Sequence, residues 1–136
     1  MESMETKARD IMAMDVLSLS EDSTIEDALK MLVNKNITGL PVTDANGRMV
    51  GVLSEYDIIE QISRAKKLSA KTLQQKIHFS KKVETVEDTM PLPQIIDHFV
   101  KTKVRRLPVL TKSKRLVGII TRRDIMRVLF YRAKVS

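Results

Sequence analysis

Two eight-residue stretches carry the residue types best suited to chemistry. Val117-Gly118-Ile119-Ile120-Thr121-Arg122-Arg123-Asp124 repeats the pattern of Val50-Gly51-Val52-Leu53-Ser54-Glu55-Tyr56-Asp57 at an offset of 67 residues. Gly-apolar-apolar-Ser/Thr-x-x-Asp reads as a buried strand entering a helix, with the hydroxyl residue at the N-cap and the Asp three positions on. One chemistry for such a pair is structural. Ser54 with Asp57, and Thr121 with Asp124, can satisfy free helix amides and suit the helix dipole, stabilising each helix by about 1 kcal/mol. The other is recognition, because amides and a hydroxyl can meet phosphate or ribose while a carboxylate accepts both hydroxyls of a ribose. The two readings are compatible, and local sequence leaves both open.

Catalytic chemistry finds less support. His78 and His98 have no second ligand at metal spacing, so no metal site is expected. Asp97-His98 lacks a matched nucleophile, and nothing pairs two carboxylates for acid-base work. The chain has no cysteine, which excludes a thiolate nucleophile, a disulfide framework and a cysteine zinc site. Gly-rich phosphate loops, paired-Gly dinucleotide motifs and aromatic platforms for bases are missing too. A role other than an enzyme is expected. The polar, acidic N-terminus lacks a signal peptide's apolar core, and no apolar run is long enough to cross a bilayer. The expectation is a free-standing cytoplasmic protein with no membrane partner.

The elements that must position these residues follow from the repeat. The 67-residue shift also lays Leu107-Pro108-Val109 on Leu40-Pro41-Val42 and Val83 on Val16, without a gap. An ungapped register over roughly fifty residues marks a duplicated supersecondary unit. In the first copy, residues 6–13 read as a short helical turn and Val16 to Leu19 as a strand. Ser23 and Glu26 form a capping box, so a helix is expected from Thr24, with Ile25, Ala28, Leu29, Leu32 and Val33 on its apolar face. Leu40–Thr43 and Met49–Leu53 form a hairpin whose Asn46-Gly47 suits positive φ. Pro41 cannot donate to a ladder and is expected at a strand's start or edge. Glu55 to about Ala65 forms a second helix, with Ile58, Ile59 and Ile62 inward.

Residues 66–76 are a partly helical connector. The pattern then replays as strand Val83–Val86, helix Leu92–Thr102, hairpin Leu107–Thr111 and Leu116–Thr121, and helix Arg122 to about Arg132. Met12, Met31, Met49 and Met126 read as core filler. The fold class is α+β, two β-α-β-β-α repeats spanning residues 8–65 and 77–132. At 136 residues the two repeats are expected to share one core. The net charge of +7 is unevenly placed: residues 1–68 hold 8 basic and 12 acidic side chains, net −4, and residues 69–136 hold 16 and 5, net +11. Such a field favours anionic partners, so a nucleic-acid-binding accessory role for the second half is one alternative. A ligand-free dimerisation scaffold is another.

Leu-Pro-Val, about ten residues, then Gly-apolar-apolar-Ser/Thr-x-x-Asp resembles the signature of the cystathionine-β-synthase (CBS) domain, and both copies carry it. The resemblance covers nearly the whole chain and matches the family's tandem pair, the Bateman module. It implies two repeats packed about a pseudo-twofold axis, with two clefts that take adenosine-containing ligands. AMP, ADP or ATP are the ligands expected, with S-adenosylmethionine and NAD as alternatives. The family's hydroxyl residue contacts phosphate or ribose and its Asp binds ribose, which carries onto Thr121 and Asp124, and onto Ser54 and Asp57. The residues before Leu-Pro-Val reach phosphates in the family. Here they are Arg105-Arg106 beside Pro108, and Thr38-Gly39 beside Pro41. Arg122 and Arg123 add positive field where the first copy has Glu55 and Tyr56, so the second copy is better equipped for a charged ligand. The resemblance also implies a homodimer, for which Ile58, Ile62, Ile125, Val128, Leu129 and Phe130 offer apolar surface. It further implies an unnamed protein that senses occupancy.

Overall fold

The computed structural model describes residues 5–135. In chain order the elements are α1 (Ala8–Ile11), β1 (Leu19–Ser20), α2 (Ile25–Asn34), β2 (Gly39–Thr43), β3 (Met49–Ser54) and α3 (Glu55–Ala65). They continue as α4 (Ala70–Leu73), β4 (Val86–Glu87), α5 (Leu92–Thr102), β5 (Arg106–Leu110), β6 (Leu116–Thr121) and α6 (Arg122–Val135). Two compact units result. A central unit comprises residues 17–83, and a terminal unit comprises residues 5–16 and 84–135 of those described. No helix among the described residues is long and apolar enough to cross a membrane.

In the central unit β2 lies between β1, which is parallel to it, and β3, which is antiparallel. Leu40, Val42 and Leu53 alternate inward from this sheet. They meet Ile25, Ala28 and Leu32 from α2 and Ile58 from α3, and all are buried. The terminal unit repeats the plan with sheet order β4-β5-β6. Leu107, Val109 and Ile120 there meet Leu92, Ile95 and Phe99 of α5 and Ile125 of α6. Each unit therefore has its own cluster of buried side chains, in place of the single shared core expected from length.

Each unit is also closed by chain that precedes the other repeat in sequence. Ser80, in the connector, exchanges two backbone hydrogen bonds with Val52 of β3 at 2.9 and 3.0 Å. Ala13, near the N-terminus, exchanges two with Ile119 of β6, both at 2.9 Å. Ile77 is buried in the central cluster and Ala8 in the terminal one. Both motif glycines serve this closure. A side chain at Gly51 would collide with the Phe79 ring and the Ser80 carbonyl, and one at Gly118 with the Met12 side chain. The exchange also redistributes charge. Counted by unit, residues 17–83 carry 10 basic and 8 acidic side chains, net +2, and residues 5–16 with 84–135 carry 14 and 8, net +6.

Several local expectations shift. The capping box at α2 is Thr24 with Asp27, one residue beyond Ser23 and Glu26: the Asp27 amide donates to Thr24 Oγ1 at 3.2 Å and the Thr24 amide to Asp27 Oδ2 at 3.0 Å. The first strand of each repeat is two residues long, at Leu19–Ser20 and Val86–Glu87. Gly47 has φ 79°, whereas Asn46 keeps negative φ, because Asp44 Oδ1 accepts from the Asn46 and Arg48 amides and shapes the turn itself. Pro41 stands mid-strand and not at its start. It tolerates that place because β1 pairs with Val42 and Thr43, one residue farther on. Val33, Ile59 and Met126, expected inward, are exposed.

Candidate functional site

The two hydroxyl-Asp pairs sit where a β-strand ends and a helix begins. In the terminal unit Thr121 closes β6 and Asp124 lies in the first turn of α6. Asp124 Oδ2 accepts from the Thr121 amide at 2.8 Å and from its hydroxyl at 3.0 Å, and the Asp124 amide donates to Thr121 Oγ1 at 3.2 Å. Arg127 Nη1 donates to the other oxygen, Oδ1, at 3.0 Å. The carboxylate is thereby fixed in orientation, with its side chain 16% exposed. In the central unit Ser54 and Asp57 reproduce the reciprocal pair at 2.9 and 3.1 Å. The capping chemistry is thus present in both copies.

The residues before Leu-Pro-Val are brought beside these pairs by the hairpin register. Arg106 lies directly across the ladder from Thr121, and Gly39 across from Ser54. One residue earlier, the Arg105 carbonyl accepts from the Arg122 amide at 3.2 Å, and the Thr38 carbonyl from the Glu55 amide at 3.0 Å. The Arg105, Arg106 and Arg123 side chains are exposed, whereas Pro41 and Pro108 are buried in their sheets. The prolines thus shape the strand under each turn.

Arg122 is engaged elsewhere. Its Nε donates to the Val104 carbonyl at 2.9 Å and its Nη2 to the Lys103 carbonyl at 2.7 Å. These are carbonyls at the C-terminal end of α5, where Lys103 takes the left-handed conformation, φ 59°. Such carbonyls lack intrahelical donors, and an Arg reaching them caps the helix. Arg122 therefore ties the start of α6 to the end of α5.

Two features escaped sequence reasoning. Gln61 is buried on α3, where its Nε2 donates to the Lys76 carbonyl at 2.8 Å and its Oε1 accepts from the His78 amide at 2.9 Å. It clamps the closing segment of the central unit. A polar residue inside an otherwise apolar helical stripe was the available signal. The second is a groove of about 330 Å³ between α5 and α6, lined by Ile96, Phe99, Val100, Ile125 and Met126 together with Lys103 and Arg122. His98 lies with its Nε2 3.2 Å from Glu84 Oε1, an ion pair when the imidazole is protonated.

The sequence model of the CBS domain matches residues 8–64 and 76–131. The chain belongs to the CBS domain family. It is 30% identical over 121 residues to the inosine-5'-monophosphate dehydrogenase of Methanocaldococcus jannaschii, an alignment covering 89% of this chain and 23% of that protein. It is 30% identical over 130 residues to the chloroplastic CBS domain-containing protein CBSX2 of Arabidopsis thaliana, covering 77% of this chain and 55% of that protein. The crystal structure of CBSX2 in complex with AMP is similar at TM-score 0.74 and 32% identity, covering 92% of this chain and 96% of that one. The CBS domain pair of protein MJ0100, solved with 5'-methylthioadenosine and S-adenosyl-L-methionine, is similar at TM-score 0.69 and 26% identity, covering 94% and 98%. The chain spans less than two thirds of the length of both curated relatives.

Proposed function

We propose that this CBS pair is a regulatory module that binds an adenosine-containing nucleotide at its strand-to-helix turns and signals occupancy to a protein partner. The observation that carries the reading is the setting of Asp124. Its carboxylate is held on the Thr121 backbone and hydroxyl, with exposed Arg106 directly across the ladder. A fixed acceptor for ribose hydroxyls beside guanidinium donors for phosphate is the pairing an adenine nucleotide needs. That CBSX2 was solved with AMP, and the MJ0100 pair with two adenosine derivatives, supports the ligand class. Among candidate ligands we favour AMP, ADP or ATP, because Arg105 and Arg106 suit phosphate. Binding stabilises whichever arrangement of the protein has the higher affinity, which is regulation without catalysis. The same reading includes pairing of two copies through their exposed helix faces, in a cytoplasmic setting.

Calorimetry with AMP, ADP and ATP on the native chain and on Asp124→Ala tests the nucleotide part. The variant loses a helix cap, which costs about 1 kcal/mol of stability. Our reading predicts that it also loses at least tenfold in nucleotide affinity at a temperature where both proteins are folded, on the order of one further hydrogen-bonded contact. Unchanged affinity with a lowered melting temperature would leave Asp124 a helix-start residue alone.

A further inference from the structure

The chain passes from the central unit to the terminal one between Val83 and Glu84. Glu84 leads into β4, a strand of only two residues at the edge of the sheet order β4-β5-β6. So short an edge strand has few hydrogen bonds of its own and belongs to the parts of a fold that open most readily. It still carries a neighbour. Just past it the Asp88 and Met90 carbonyls accept from the Arg9 and Ala8 amides, both at 2.9 Å, and hold the N-terminal closing segment.

The lead-in to β4 is fastened to α5 through His98. The imidazole Nε2 is buried and takes part in no hydrogen bond among the described residues, and Glu84 Oε1 lies 3.2 Å from it. A neutral imidazole leaves that buried nitrogen unsatisfied, whereas a protonated one is answered by the carboxylate. The other charged groups stand apart. Asp97 and Lys101 neighbour His98 along α5, and Lys82 and Glu87 flank Glu84 in the incoming segment. Lys7 of the N-terminal segment bridges to Pro91 at the start of α5, and Arg122 of α6 reaches the carbonyls at its end. Among the described residues, Glu84 alone comes within ion-pair distance of the imidazole.

The first repeat supplies a built-in comparison. The counterparts of Glu84 and His98, 67 residues earlier, are Leu17 and Met31, and Leu17 leads into β1 as Glu84 leads into β4. Neither of these side chains titrates.

We propose that His98 and Glu84 form a pH-sensitive tether, which pins the lead-in to β4 while the imidazole is charged and releases it when the imidazole is neutral. Histidine changes charge between about pH 5 and 8, a range over which a carboxylate stays ionised. The ion pair therefore adds its stabilisation on the acid side of the imidazole titration and loses it as pH rises. The Glu84 side chain is 54% exposed, so screening keeps the effect modest. The tether governs the order of one edge strand and is independent of nucleotide binding.

Amide exchange on the full chain at about pH 5.5 and 8, corrected residue by residue for its intrinsic pH dependence, tests this. Protection along residues 84–88, including the Asp88 amide that donates to the Leu110 carbonyl, is expected to be about two- to fivefold greater at the acid end. Residues 17–21 are expected to show no such gain. Two variants locate the cause. Glu84→Gln removes the charge at an exposed position, and Glu84→Leu with His98→Met installs the pair of the first repeat. Both are expected to abolish the difference. A native chain without the difference, an equal difference at residues 17–21, or one that survives in Glu84→Gln would each overturn the proposal.

Discussion

Gly51 and Gly118 are held to glycine by contact and not by conformation, since neither has a positive φ. The neighbours decide what a methyl group would cost. At Gly51 it meets backbone, the Ser80 carbonyl, together with the Phe79 ring, whereas at Gly118 the nearest atoms belong to the Met12 side chain. The Met12 thioether can turn away where a peptide group cannot, although its Cβ moves only with the backbone of the closing segment. Gly51→Ala is expected to cost about 1–3 kcal/mol and Gly118→Ala less, measured by denaturant unfolding. Equal costs would mean the N-terminal closing segment is as stiff as the connector.

Carboxylates act at the same scale. The Arg48 amide, above all, holds the Asp44 carboxyl below the usual carboxylate range, helped by the Asn46 amide and the Arg48 charge against partial desolvation. The Asp27 carboxyl is lowered in the same way, first by the Thr24 amide and then by the Thr24 hydroxyl. A group whose folded pKa is depressed adds stability above its unfolded pKa and loses it as pH falls through the folded value. The counterpart of Asp44 is Thr111, whose hydroxyl accepts from the Arg115 amide and does not titrate. Between pH 7 and pH 3, amide exchange at Asn46 and Arg48 is therefore expected to accelerate, beyond the intrinsic pH effect, more than at Arg115. Parallel behaviour of the two turns would argue against the Asp44 assignment.

At the scale of elements, the repeat was legible because each strand-turn-strand-helix run carries its own alternation and turn residues, and an ungapped register lets one copy check the other. The strand-to-helix sites were legible for the same reason: Ser54 with Asp57 and Thr121 with Asp124 make bonds between residues three apart. What escaped depends on distant chain. Ser80 bonding Val52 and Ala13 bonding Ile119 have no local signature, so the exchange of closing segments was invisible, and the charge division by sequence halves overstated the contrast between units. Ile59 and Met126 were misplaced because each follows an apolar neighbour, Ile58 or Ile125, that takes the buried position, and local sequence does not fix how wide the buried stripe is. That Arg122 reaches the Lys103 and Val104 carbonyls was not legible, because nothing local places the end of α5 beside the start of α6.

The connector's attachment makes a prediction at this scale. Gln61 holds both the Lys76 carbonyl and the His78 amide, whereas Val128 occupies its place in the other repeat. Gln61→Leu keeps the bulk and removes both hydrogen bonds, so a loss of about 1–2 kcal/mol is expected. Hydrogen exchange is predicted to rise first along residues 76–80. A variant as stable as the native protein would show that the segment is held by Ile77 packing alone.

For the molecule as a whole, the central claim is that the chain binds adenosine nucleotides and that its second CBS repeat reads their phosphates. The first repeat offers Thr38 and Gly39 where the second offers Arg105 and Arg106, so exchanging those two residues for Thr and Gly removes the charge and leaves the fold's pattern intact. Each charge-assisted hydrogen bond contributes on the order of 1.5–3 kcal/mol, and a triphosphate can accept more of them than a monophosphate. Thermal shifts with adenosine, AMP, ADP and ATP, on the native chain and on the Arg105→Thr, Arg106→Gly double variant, measure this directly, because ligand stabilisation grows with concentration over dissociation constant. The account predicts that the loss grows in the order AMP, ADP, ATP, with adenosine little changed. Equal losses for all four ligands, or no shift from any of them on the native chain, would contradict it.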